Sequence, residues 1–95
     1  MPEMRYDIEW PDGVRESCYS PSLVIKDYFE PGQSYALADF LRRSRTALNI
    51  ASERVRAKYG FPCSRALGQL AKTEAAAARQ TALDGNVVIL SFHDL

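Results

Sequence analysis

Apolar and polar residues alternate at the start of this chain: Met4, Tyr6, Ile8 and Trp10 are separated by Arg5, Asp7 and Glu9. A period of two with one apolar side predicts a half-buried β-strand. Pro11-Asp12-Gly13 follows with turn chemistry, Pro fixing φ and Gly accepting positive φ. Val14 to Tyr19 returns as a second strand, so residues 3–19 are expected to form a hairpin. Ser20-Pro21-Ser22 ends that strand. Ser20 is placed to cap a helix with Pro21 at its first position. Leu23 to Phe29 is then expected to be a short helix, with an edge strand as the alternative. Glu30-Pro31-Gly32-Gln33 is a stop.

The period then changes to that of a helix. Leu37, Leu41, Ser44, Leu48, Ala51, Val55 and Tyr59 recur every three or four residues, which predicts a long helix over 37–59. Gly60 is a natural left-handed terminator, and Pro62 blocks continuation. A second helix is predicted from about Ser64 to Thr81, with Leu67, Leu70, Ala71, Glu74 and Ala78 on its stripe. Gly85 breaks it. Val87 to Phe92 is a β-branched, apolar run and reads as a buried strand. The order predicts a single α+β domain over 1–95. Its sheet would be small and three-stranded, the N-terminal hairpin plus the C-terminal strand, with two main helices packed on one face. The last strand is apolar on both sides at Val87, Val88, Ile89 and Leu90, which asks for cover on both faces. A closed homodimer is the expected way to supply it.

Charge adds a second pattern. Residues 41–72 carry eight basic side chains against one acid, residues 1–40 carry three against eight, and residues 73–95 carry one against three. The net charge is zero, yet the chain is a strong charge dipole, which bears on partners rather than fold. On the long helix Arg43, Arg54 and Lys58 flank one side of the apolar stripe, and Arg42, Arg45 and Arg56 flank the other. Nucleic-acid binding prefers one continuous basic face, so it is disfavoured. Long side chains at the rim of a packed helix are the ordinary reading of such flanks. Protein contact with an acidic surface is the functional one. Arg42, Arg45, Ile50 and Arg56 are its candidate contacts, Ile50 being an apolar residue set among arginines.

Catalytic signatures are sparse. Cys18 and Cys63 lack CxxC spacing, and without an export pattern at MPEMRYDIEW a disulfide is not expected. Both cysteines are expected to act as small buried hydrophobes. His93 beside Asp94 is the only histidine, and it lies near a chain end, where geometry is hard to hold. Cys18, Cys63 and His93 lack paired ligand spacing, so neither a metal nor a cofactor is expected. No GxSxG, phosphate-loop or GxGxxG motif occurs. A small enzyme or ligand-binding subunit using Cys63 or His93 remains the alternative to a non-enzymatic binding protein. Apolar runs too short to span a bilayer complete the expectation of a cytoplasmic protein.

Two segments, CYSPSLVIKDYFEPGQSYALADF at 18–40 and ALNIASERVRAKYGFPCSRAL at 47–67, carry a family likeness. With WPDG at 10–13 they resemble small bacterial nitrogen-starvation response proteins encoded in nitrilase-containing gene clusters. In such clusters a nitrilase, a radical SAM protein, an acetyltransferase and a flavoprotein lie alongside. The resemblance implies expression under nitrogen limitation and an accessory or regulatory role beside those enzymes. It brings no catalytic or binding residue with it.

Overall fold

A computed structural model describes residues 3–61, 63–80 and 85–94. Strand β1 (Met4–Glu9) places Met4, Tyr6 and Ile8 wholly inside and leaves Arg5, Asp7 and Glu9 on the opposite face. Gly13 adopts φ 87° in the following turn, where its N–H bonds the Trp10 carbonyl at 2.8 Å. Only a residue without Cβ takes that conformation cheaply. The chain returns as β2 (Arg15–Ser20), antiparallel to β1 with Tyr6 opposite Cys18.

Ser20 does not cap a helix. It ends β2, and its hydroxyl bonds the Ser22 carbonyl at 2.7 Å. The short helix α1 (Ile25–Tyr28) starts later, at Val24. A strand the sequence did not announce follows, β3 (Ser34–Ala36). Three residues are too few to show a period, and this strand exists because β4 (Asn86–Asp94) supplies its partner. The sheet therefore has four strands among the described residues rather than three, all antiparallel, in the order β2-β1-β4-β3. β4 is longer than its apolar run suggested, and a register shift between Asp7 and Ile8 interrupts its pairing with β1.

Helix α2 (Leu37–Tyr59) has the predicted bounds and closes on Gly60 at φ 88°. Its buried side, led by Phe40, Ser44, Ala47, Leu48 and Ala51, lies over the apolar face of the sheet. Phe29 is the hub of the core, with ring centroids 5.3 Å from Phe40, 5.2 Å from Tyr35 and 6.4 Å from Tyr6. Such offset and edge-on aromatic pairs add roughly 0.5–1.5 kcal/mol each beyond burial.

Helix α3 (Ser64–Ala78) turns a different side inward from the one predicted. Ala66, Gln69, Thr73, Ala76 and Ala77 are buried, whereas Leu67, Ala71 and Ala78 face out. The stripe drawn through leucines is off by one residue, about 100° of helix rotation. The reason is clearance: α3 packs on both α2 and β2, and small side chains permit that close approach. Pro62 and the predicted stop at Thr81 lie outside the described residues.

Candidate interaction surfaces

The four partner-contact candidates occupy separate positions on α2. Arg42 pairs with Asp39 one turn earlier. Arg45 reaches across to Glu74 of α3 at 2.5 Å, and Arg56 pairs with Glu53 at 3.4 Å. Each of these arginines is more than half exposed, so each pair contributes only about 0–1 kcal/mol. Ile50 is half-buried and packs against the core cluster, at the edge of a shallow depression shared with Asn49, Glu53, Arg54 and Ala57.

Asp39 also accepts from Arg43 Nε at 2.8 Å. Hydrogen bonds from Arg43 and Arg42 hold its carboxyl below the usual range. Arg43 goes on to donate to the Tyr28 carbonyl at 2.8 Å and lies over the Tyr35 ring at 4.9 Å. It thereby ties α1, α2 and β3 together.

The end of α2, the turn after it and the first turn of α3 carry three of the four large apolar side chains that are exposed among the described residues. Tyr59 is 53%, Phe61 65% and Leu67 41% exposed. Arg56, Lys58 and Arg65 stand around them in sequence, so the tip is aromatic and basic. Beside it is a cleft of about 180 Å³ lined by Tyr19, Pro21, Val55, Tyr59 and Cys63, with Glu3 and Arg65 at its edge. Arg65 stacks on the Tyr19 ring at 3.9 Å and lies 3.6 Å from Glu3. Burial and the hydrogen bond to Glu3 push the Tyr19 hydroxyl up to about 12. Leu67 was expected inside, and only the rotation of α3 exposes it.

Cysteine and histidine do not meet. Cys63 is a free thiol, half-buried in the cleft rather than fully inside as expected. Cys18 is free and buried, its thiol pushed well up by burial and by the nearby Glu16 charge. His93 stands on the outer face of the sheet. Its partner is Asp7 of β1 at 3.0 Å, not the adjacent Asp94, which pairs with Lys26. Ser91 Oγ lies 3.0 Å from the same ring nitrogen, Nε2. A hydroxyl–imidazole–carboxylate relay uses opposite ring nitrogens, so this trio does not have relay geometry. Burial tends to raise the Asp7 carboxyl, but hydrogen bonds from His93 and Ser17 outweigh it, and the net direction is down.

Gln69 escaped sequence reasoning entirely. It is 7% exposed, its Oε1 accepts the Tyr19 backbone N–H at 3.0 Å, and its Nε2 donates to Thr73 Oγ1 at 3.1 Å. It fastens α3 to the free edge of β2. A single amide on a helix announces nothing in sequence, since its partner is 50 positions away.

No group of acids, cysteines and histidines among the described residues is placed to hold a metal. No described helix is long and apolar enough to cross a membrane. A family model described as nitrogen starvation-induced protein NitG matches residues 5–92. No curated protein and no solved structure matches the chain.

Proposed function

The chain belongs to the family of the nitrogen starvation-induced protein NitG, and from that membership we propose a non-enzymatic accessory or regulatory protein of the bacterial nitrogen-starvation response, acting through protein contacts. Enzymes of a nitrilase-containing gene cluster are the proposed partners, and the cytoplasm the proposed place of action. The observation that carries this reading is the α2–α3 tip. Phe61 and Tyr59 are large, exposed aromatics standing between arginines and a lysine. Aromatic residues and arginine are the side chains most enriched at the energetic centre of protein interfaces. The cleft beside Tyr59 is sized for one inserted side chain. Arg56 and Arg65 already pair with Glu53 and Glu3, so Lys58 supplies the uncompensated positive charge that favours an acidic partner surface and speeds encounter with it.

A pull-down from nitrogen-starved cells tests this, with bound proteins identified by mass spectrometry. Tagged protein is expected to retain an enzyme of the cluster. Phe61→Ala is expected to weaken that capture by about 2 kcal/mol, the scale of an interface hot spot. Equal capture by wild type and Phe61→Ala would refute the tip as the contact.

A second copy of the chain is a further proposed partner. Val88 and Leu90 remain only half-buried on the outer sheet face, and β3 is the edge strand of the sheet among the described residues. Light scattering at micromolar concentration is expected to give twice the monomer mass. A clean monomer would remove this reading and leave the tip reading intact.

A further inference from the structure

Most of the surface arginines and lysines are neutralised. Arg15, Lys26, Arg42, Arg43, Arg45, Arg56 and Arg65 each have a carboxylate partner. Five have none among the described residues: Arg54, which donates to Ser22 Oγ, Lys58, which lies over the Tyr59 ring, and Arg5, Lys72 and Arg79, which together line one groove. It lies between β2 and α3, has a volume of about 330 Å³, and also contains Glu16, Ser17 and Gln69 on its walls.

Each wall residue is placed by a traceable cause. Arg5 belongs to the polar face of β1, and its Nε is held by Ser17 Oγ at 3.0 Å. That bond spends one donor, leaves the two terminal NH₂ groups uncommitted, and restricts the guanidinium plane. Arg79, the C-cap of α3, follows Lys72 by seven residues, two helical turns or roughly 10.5 Å along the axis. They therefore project from the same side. Ala75 stands between them and leaves the space open. Gln69 makes a fixed boundary, because both ends of its amide are already bonded. Glu16 is the one acid on the wall. Its carboxylate accepts from Trp10 Nε1 at 3.3 Å and Cys18 Sγ at 3.9 Å, and no ion pair joins it to the three cations. An adjoining hollow of about 260 Å³ shares Arg5, Gln69 and Lys72, so this pair of cations stands at the centre of a longer trough.

We propose that the groove between β2 and α3 binds a small phosphate-bearing anion, with Arg5, Lys72 and Arg79 holding its oxygens. With Glu16 counted the wall carries a net charge of +2, which a monovalent carboxylate leaves half compensated and a ligand with two phosphate charges or more matches. Arginine offers a planar fork to such oxygens and lysine a point charge. Single-stranded nucleic acid fits less well, since it requires aromatic platforms for its bases. The nearest aromatic ring, Tyr19, already lies under Arg65. The adjoining hollow reaches Tyr19 and Arg65 at the edge of the tip cleft, but Arg5, Lys72 and Arg79 belong to neither the tip nor its cleft, so variants at these three test the groove separately.

Calorimetric titration of the whole chain with inorganic pyrophosphate tests the assignment, beside titrations with citrate and with a 15-nucleotide single strand. One-to-one pyrophosphate binding that weakens with salt is expected. Lys72→Ala and Arg79→Ala should each weaken it at least tenfold, and Lys72→Arg should restore most of the loss. Circular dichroism of the variants checks that they are folded; both side chains are exposed. No binding at millimolar pyrophosphate overturns the proposal, as does unchanged affinity in folded Lys72→Ala. Citrate binding tenfold tighter than pyrophosphate overturns the phosphate assignment. A strand that binds through Lys72 while pyrophosphate does not makes the groove a nucleic-acid site instead.

Discussion

Replacing Gln69 by leucine tests whether one side chain holds α3 to the sheet. The substitution keeps most of the volume and deletes both hydrogen bonds. The Tyr19 N–H points away from β1 at the sheet edge, and Gln69 Oε1 is its partner at 3.0 Å. Gln69 is 7% exposed, so water does not simply replace it. An orphaned buried donor costs about 1–3 kcal/mol, and the lost Gln69–Thr73 bond adds about 1 kcal/mol. The apolar gain of the leucine offsets part of this, which leaves a net loss of about 2 kcal/mol. For a domain of this size that lowers Tm by roughly 8–16 °C. Urea unfolding followed by circular dichroism should show the loss as a lower midpoint with an unchanged slope. Amide exchange adds a local readout: the Tyr19 N–H should lose its protection while the central β1 amides keep theirs. Thr73→Val removes only the second bond and should cost about 1 kcal/mol. Stability of Gln69→Leu within about 0.5 kcal/mol of wild type, with the Tyr19 amide still protected, would show that packing alone seats α3.

Tyr6 is wholly buried and its hydroxyl has no hydrogen-bond partner among the described residues. Tyr6→Phe is therefore expected to stabilise the fold by about 1 kcal/mol, seen as a higher Tm; a loss of similar size would mean the hydroxyl is bonded. Gly60→Ala meets no atom within 4 Å, so its cost is conformational, about 1–2 kcal/mol from the left-handed backbone; an unchanged urea midpoint would contradict it. The carboxyls of Asp39 and Asp7 lie below their usual range when folded. Their contribution is complete above the unfolded value near 3.9 and is lost as pH falls through the lower folded values. Melting temperature should hold from pH 7 to about 4 and then drop, with a shallower drop in Asp39→Asn; an identical acid limb in that variant would exclude Asp39 as a contributor.

Local order was written into the chain. Strand β1, the Pro11-Asp12-Gly13 turn and helix α2 with its Gly60 terminus rest on short-range chemistry: side-chain period, fixed φ and tolerance of positive φ. These needed no knowledge of neighbours, and the structure has them at the predicted positions. The basic balance of residues 41–72 was equally plain. How those charges are spent was not, because ion pairs such as Arg45–Glu74 join residues on different helices. Strand β3 has three residues and no period, and exists only through its pairing with β4. The face α3 buries depends on how closely α2 and β2 approach, so alanines went inside and Leu67 outside. His93 found Asp7 because antiparallel register brought together positions 86 apart in sequence. The groove of Arg5, Lys72 and Arg79 arises the same way, from a first strand and a last helix that meet across β2. Periodicity reports the side on which a residue lies within its own element; only packing decides which other element faces it.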